Sequence, residues 1–99
     1  MIEVAVKTNV EAAHTDAVGR VHGHSYVVEV WFGEGADLVT LAAFVRDTAT
    51  EVDHSMLENS IGSSKMESLA AWFLSKIPLS VRVVVSRPTL GFSACAYRD

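Results

Sequence analysis

Ninety-nine residues, 49% hydrophobic and 20% charged, suffice for one domain with a single core over residues 1–99, and nothing in the composition suggests disorder or low complexity. A formal charge of −4, with no cluster among the eight Lys and Arg, argues against a nucleic-acid partner. No apolar run nears the roughly 20 residues that span a bilayer, and the N-terminal stretch alternates instead of forming an apolar signal core. Cys95 is the single cysteine, so no internal disulfide is possible, and a cytoplasmic protein is expected.

Ile2, Val4, Val6, Thr8, Val10 and Ala12 occupy even positions against Glu3, Lys7, Asn9 and Glu11 at odd ones, which predicts a half-buried strand over 2–12. A second strand over 22–32, rich in Val, Tyr, Trp and Phe, ends at Gly33-Glu34-Gly35. The link between them is too short for a crossover, so the two should pair antiparallel. Asp37 is a candidate N-cap, and Leu38, Leu41, Val45, Thr48 and Val52 mark one face of a helix. Asp53 to Gly62 reads as irregular. Ser64-Lys65-Met66-Glu67 has the capping-box pattern, and Met66, Leu69, Ala70, Phe73, Leu74 and Ile77 predict a second amphipathic helix, stopped by Pro78. Val81, Val83 and Val85 begin a third strand, and Phe92 to Tyr97 form a fourth.

The order is ββααββ, an α+β domain whose four-stranded antiparallel sheet carries two helices on one face. The other face mixes Glu3, Lys7 and Glu29 with Val27 and Trp31, and the sheet edges are open. That combination points to homo-oligomerisation edge to edge, which would also help so small a domain reach adequate stability.

All four histidines fall in two short patches, and three of them, His14, His22 and His24, read H-x7-H-x-H. Residues two apart on a strand share a face, so His22 and His24 can converge on one ion, with His14 arriving from a neighbouring strand. Three imidazoles on a metal leave a fourth position for water or substrate, the layout of catalytic zinc. The plainer reading, histidines scattered along a half-polar strand and loop, stays open at the level of spacing alone.

Several blocks in their order carry a family likeness: Ala12-Ala13-His14, Val21-His22-Gly23-His24-Ser25-Tyr26, Asp53-His54 followed by Leu57, and Glu67-Ser68-Leu69-Ala70. The chain resembles the 6-pyruvoyl-tetrahydropterin synthase and 6-carboxytetrahydropterin synthase family over nearly its whole length. The resemblance implies a tunnelling fold, in which subunits join their sheets into a ring (a trimer or hexamer). It implies 7,8-dihydroneopterin triphosphate as the substrate, with its side-chain hydroxyls on Zn2+. His14, His22 and His24 match the family's zinc ligands. Asp53 and His54 match the pair that relays protons with a cysteine, and Glu67 falls on the family's Pro-Thr-x-Glu motif as a substrate-binding residue.

Two family positions are occupied differently. The cysteine four residues before the H-G-H block is Val18 here, which has no ionisable group to act as a base. The pterin-anchoring glutamate after the third strand falls on Ser86, whose hydroxyl does not offer the charged two-point acceptor of a carboxylate. Cys95, on the last strand, reads as a small buried hydrophobe. Asp16 is the one ionisable side chain in the link that could stand in for the missing base, against the plainer reading of a solvated loop aspartate. Glu67 reads equally as part of a capping box, and Arg20 and Lys65 as surface charges or triphosphate contacts. The expectation is a zinc-dependent lyase of the pterin synthase type with His54, Asp53 and Asp16 as its proton-handling candidates. The alternative is a non-catalytic zinc-binding homologue, taking another small ligand or serving as an oligomeric scaffold.

Overall fold

A computed structural model describes residues 1–99. The two alternating segments form long strands, β1 (Glu3–Thr15) and β2 (Val21–Gly33), paired antiparallel in unbroken register from Glu3↔Gly33 to Thr15↔Val21. Thirteen residues at about 3.4 Å each span about 44 Å, and the molecule's longest extent is 46 Å. This hairpin therefore sets the length of the protein. It is followed by α1 (Leu38–Ala49), β3 (Ser55–Met56), the single-turn α2 (Leu57–Ser60), α3 (Met66–Lys76), β4 (Ser80–Arg87) and β5 (Phe92–Tyr97).

The sheet has five strands in the order β3-β1-β2-β4-β5. The four long strands pair antiparallel as expected. The four-stranded, purely antiparallel sheet needs correction, because β3 pairs parallel to the outer edge of β1, with Ala12↔Ser55 and Ala13↔Met56. Two residues are too few to carry a period-two pattern, so the segment that reads as irregular hides a strand and a helical turn. What docks it is visible only in space. Asp53 Oδ1 accepts the Glu11 backbone N–H at 2.8 Å, and the His54 N–H donates to the Glu11 carbonyl.

Both long helices lie on one face of the sheet. Asp37 caps α1, accepting from the Thr40 N–H, and Val45, Thr48 and Val52 are buried along the predicted stripe. Leu69, Ala70, Phe73 and Ile77 do the same for α3. They pack on Val6, Val10, Tyr26, Val28, Val30, Phe32, Val83 and Val85, the inward residues of β1, β2 and β4, in one continuous core. The capping box of α3 is not made. Its N-cap is Lys65, with no side-chain cap, and the nearby serine that bonds is Ser63, which accepts from the Lys65 N–H and donates to Ser68 Oγ. At the other end of α3, Arg98 donates to the carbonyls of Leu74, Ile77 and Ser80, satisfying orphan acceptors and placing a cation at the negative end of the helix.

The far face is a polar ladder. Lys7 pairs with its register partner Glu29 at 3.4 Å, Arg82 with Glu3 at 2.8 Å, and the Arg82 guanidinium stacks 4.1 Å over the Trp31 ring. Cys95, read as a small buried hydrophobe, is exposed on β5 instead. Its strand is the sheet's open edge, covered on one side only.

Phe73 is fully buried at the centre of the α3 contact, edge-on to Trp72 with ring centroids 5.0 Å apart. Phe73→Ala should cost about 3–5 kcal/mol of stability, the usual penalty for an aromatic cavity in a close-packed core. Urea unfolding followed by far-UV circular dichroism measures it.

Candidate metal site and adjoining cleft

Register brings the three histidines together. His14 and His22 are direct cross-strand partners, and His24 lies opposite Ala12, so all three share the face that carries Val10 and Tyr26. They sit at the end of that face. The imidazole centroids are 4.7 Å apart for His14–His24, 6.2 Å for His22–His24 and 6.4 Å for His14–His22. A tetrahedral ion with Zn–N bonds of about 2.0–2.1 Å sets imidazole centroids about 5 Å apart, so the donor set suits such an ion in type, with His22 standing more than about 1 Å too far from the other two rings.

The ring nitrogens already have partners, which define their tautomers. His14 Nδ1–H donates to the Thr15 carbonyl at 3.1 Å, leaving Nε2 with its lone pair. His22 Nε2–H donates to Asp16 Oδ2 at 2.9 Å, leaving Nδ1. Both follow the pattern of metal-ligating histidines, whose second nitrogen donates to a carbonyl or carboxylate. His24 differs, because its Nδ1 accepts from Arg87 Nη2–H at 2.7 Å. Burial first, then the Arg87 charge, push the His24 pKa down, so this ring is neutral. Ligation through His24 Nε2 requires a proton on Nδ1, and Arg87 must then withdraw. With those partners in place, no three His, Cys, Asp or Glu side chains stand in a ready-made ligating cluster.

Asp16 organises the turn between the strands. Its Oδ1 accepts the backbone N–H groups of Val18 and Arg20, and Oδ2 faces Arg20 Nε and His22 Nε2. The Arg20 backbone N–H, then the His22 ring, hold its carboxyl down at about 2. A carboxylate so well satisfied is a weak proton acceptor at neutral pH. It is an orienting partner of His22, and the largely exposed Arg20 side chain places its Nε 3.3 Å from the same carboxylate. The sign of its pH effect follows: a folded pKa below the ordinary 3.8 stabilises above that value, and the contribution disappears as pH falls towards 2. Asp16→Asn should therefore flatten the acid limb of melting temperature against pH between about 4 and 2.

A cleft of about 400 Å³ is lined by Glu11, Ala12, Ala13, Gly23, His24, Ser25, His54, Ser55 and Met56. Glu11, Ala13, Gly23 and Ser25 belong to the hairpin face opposite the triad, and His24 is the one member of the triad in the lining. His54 and Asp53, neighbours in sequence, do touch: His54 Nδ1–H donates to Asp53 Oδ2 at 2.8 Å. Asp53 is fixed by its other oxygen on the Glu11 N–H, and that bond, with the His54 ring, lowers its pKa. The imidazole is mostly exposed, and this tautomer leaves Nε2 unprotonated. His54 also adopts a left-handed backbone, with φ of 57°, at a cost of roughly 1–2 kcal/mol. The Glu11 and Asp53 bonds offset that cost and point to a position held for its side chain.

Residues 3–90 match the family model for 6-pyruvoyl tetrahydropterin synthase. The chain belongs to that family. Among curated proteins, none matches it. In this family member the zinc-ligand positions of the resemblance, His14, His22 and His24, come together, and His24 borders the cleft that also holds His54. Glu67 is not brought in: it is exposed in the first turn of α3, away from the cleft lining, and Lys65 is likewise exposed. Val18 is 73% exposed in the turn, and Ser86 faces the side away from the helices, paired with Val27. Two residues of the site have no local sequence signal. Arg87 reaches His24 across 63 positions, and Glu58 reaches Thr15 across 43. Only the fold makes either of them a neighbour.

Proposed function

We propose that this protein is a zinc-dependent lyase of the 6-pyruvoyl/6-carboxy-tetrahydropterin synthase type, acting on 7,8-dihydroneopterin triphosphate or a close relative. The observation that carries the reading is the meeting of three histidines beside a cleft that also holds an aspartate-oriented histidine, in a chain of this family. His14, His22 and His24 would hold the ion, whose chemistry when bound is to polarise the substrate's side-chain oxygens and acidify the neighbouring C–H and O–H groups. His54 Nε2 would take and return protons from the cleft, as Asp53 fixes the tautomer and stabilises the imidazolium. The Glu11 N–H keeps Asp53 ionised for that purpose. Arg87, once it leaves His24, is a cation available to an anionic portion of the ligand.

The open edges of β5 and of β1 beyond β3, together with the exposed far end of the hairpin, support a ring of copies that completes the cleft. Light scattering of the purified protein tests this, and a monomer would remove it.

The second reading, a zinc-bearing homologue without turnover, is favoured by one specific pair of observations. Val18 provides no base where the resemblance places a cysteine, and the Asp16 carboxylate, held at about 2 by the Arg20 N–H and the His22 ring, is a weak one. Ser86 also lacks the carboxylate that would grip a pterin edge.

Turnover separates the two. Zinc-loaded protein is incubated with 7,8-dihydroneopterin triphosphate, and triphosphate release and pterin products are followed by mass spectrometry. Slow, zinc-dependent product supports the lyase, whereas unchanged substrate leaves the second reading. In the lyase, His54→Asn should lower the rate by about 10²–10⁴-fold, the usual contribution of one general acid–base group. Asparagine tolerates the left-handed backbone, so the melting temperature should move little.

A further inference from the structure

We propose that Glu58 is a positioning residue for His14, acting through Thr15. The register of the short edge strand carries the argument. β3 pairs Ala12↔Ser55 and Ala13↔Met56, so residue 58 would lie opposite residue 15 if the strand continued in parallel. The chain instead turns into α2 at Leu57, whose fully buried side chain anchors the turn. Glu58 then supplies with its side chain what a longer strand would have supplied with its backbone. Its Oε2 accepts the Thr15 N–H at 2.7 Å and the Thr15 Oγ1–H at 2.5 Å. These two bonds, the hydroxyl's first, hold the Glu58 pKa below its ordinary value, so the acceptor is a carboxylate.

Thr15 is the residue whose carbonyl receives His14 Nδ1–H. Clamped twice by Glu58, Thr15 keeps that carbonyl where the imidazole needs it, and the His14 tautomer with a free Nε2 is selected. Glu58 Oε1 is meanwhile buried without any hydrogen-bond partner. The bonds that Glu58 makes to other side chains and strands both go to Thr15.

The inference deepens the zinc reading and rests on it for its consequence, but the tautomer can be read without metal. Two-bond ¹H–¹⁵N spectra of metal-free protein labelled at histidine report which nitrogen of His14 carries the proton. Competition against a chromophoric chelator gives the zinc affinity. The wild type should show Nδ1–H at His14. Glu58→Ala should show a mixture or Nε2–H, and should bind zinc about 10–100-fold more weakly, the usual effect of losing an outer partner of a ligand. Glu58→Gln, whose carbonyl oxygen can accept both Thr15 donors, should restore both readings towards wild type.

Wild-type tautomer and affinity in Glu58→Ala would overturn the proposal. So would a Glu58→Gln protein as defective as Glu58→Ala, since charge rather than the clamp would then matter. Where the wild type takes up no zinc, it is the metal reading that fails, and the tautomer comparison by itself decides the role of Glu58.

Discussion

The His24→Ala protein is expected to lose zinc. Of the three histidines, His24 is the one that also lines the cavity holding His54, and its ring lies 4.7 Å from that of His14. Removing it leaves two imidazoles on opposite strands, His14 and His22, with centroids 6.4 Å apart. Loss of a ligand should exceed the roughly 10–100-fold penalty for loss of an outer partner, so affinity should fall by more than about 100-fold in chelator competition. Arg87 changes too, because its acceptor on His24 disappears. The fold should survive, since His24 lies beyond the core formed by Val10, Tyr26 and Val28. His54→Asn is the matching control: it removes an imidazole from the same cleft but not from the ligand set, and its zinc affinity should equal wild type. Equal zinc affinity in His24→Ala and wild type would mean that the triad is not the metal site.

The second large effect concerns Val18, the position at which the resemblance implies a cysteine. Val18→Cys should raise zinc-dependent turnover by about 10²–10⁴-fold, the contribution of one general base. Val18 is mostly exposed, in the turn whose Asp16 holds both its backbone N–H and the His22 ring. A thiol there demands no repacking of the core. Its ordinary pKa of about 8.5 already leaves a few per cent as thiolate at neutral pH. Measured triphosphate release from Val18→Cys, wild type and Val18→Ala decides it. A rise in the cysteine variant alone supports a lyase that lacks one proton acceptor. A flat series across the three favours the homologue without turnover.

These experiments bear on different parts of the site because the site was legible to different degrees. The histidine triad was legible in part: a two-residue period puts His22 and His24 on one face, while spacing alone left His14 free to lie elsewhere until the strand was seen to run on to Thr15. The pairing of His14 directly with His22 follows from the same hairpin register. The Asp53–His54 pair could be read as a motif but not as a contact. Adjacent residues on an extended chain diverge, and only the left-handed turn at His54 and the bond to Glu11 bring imidazole and carboxylate together. Glu67 is the opposite case: its place in a motif implied a ligand, and the first turn of α3 leaves it exposed and outside the lining of this cleft, at a surface that a single chain does not complete.

What the sequence by itself determined is the hydrophobic pattern: two long alternating strands, two helices with apolar stripes, two further strands, and the histidines placed on that frame. Period two and period 3.6 are local properties, so they survive without knowledge of the fold. What only the tertiary structure decided is the edge. The two-residue β3, its parallel pairing to β1, the turn through Leu57 and the arrival of Glu58 at Thr15 depend on groups more than 40 positions apart. So does the Arg87 bond to His24, which joins the neighbouring strands β4 and β2 across 63 positions of chain. Hydrogen bonds of that range leave no periodic trace, because each is a single pairing fixed by the packing of everything between.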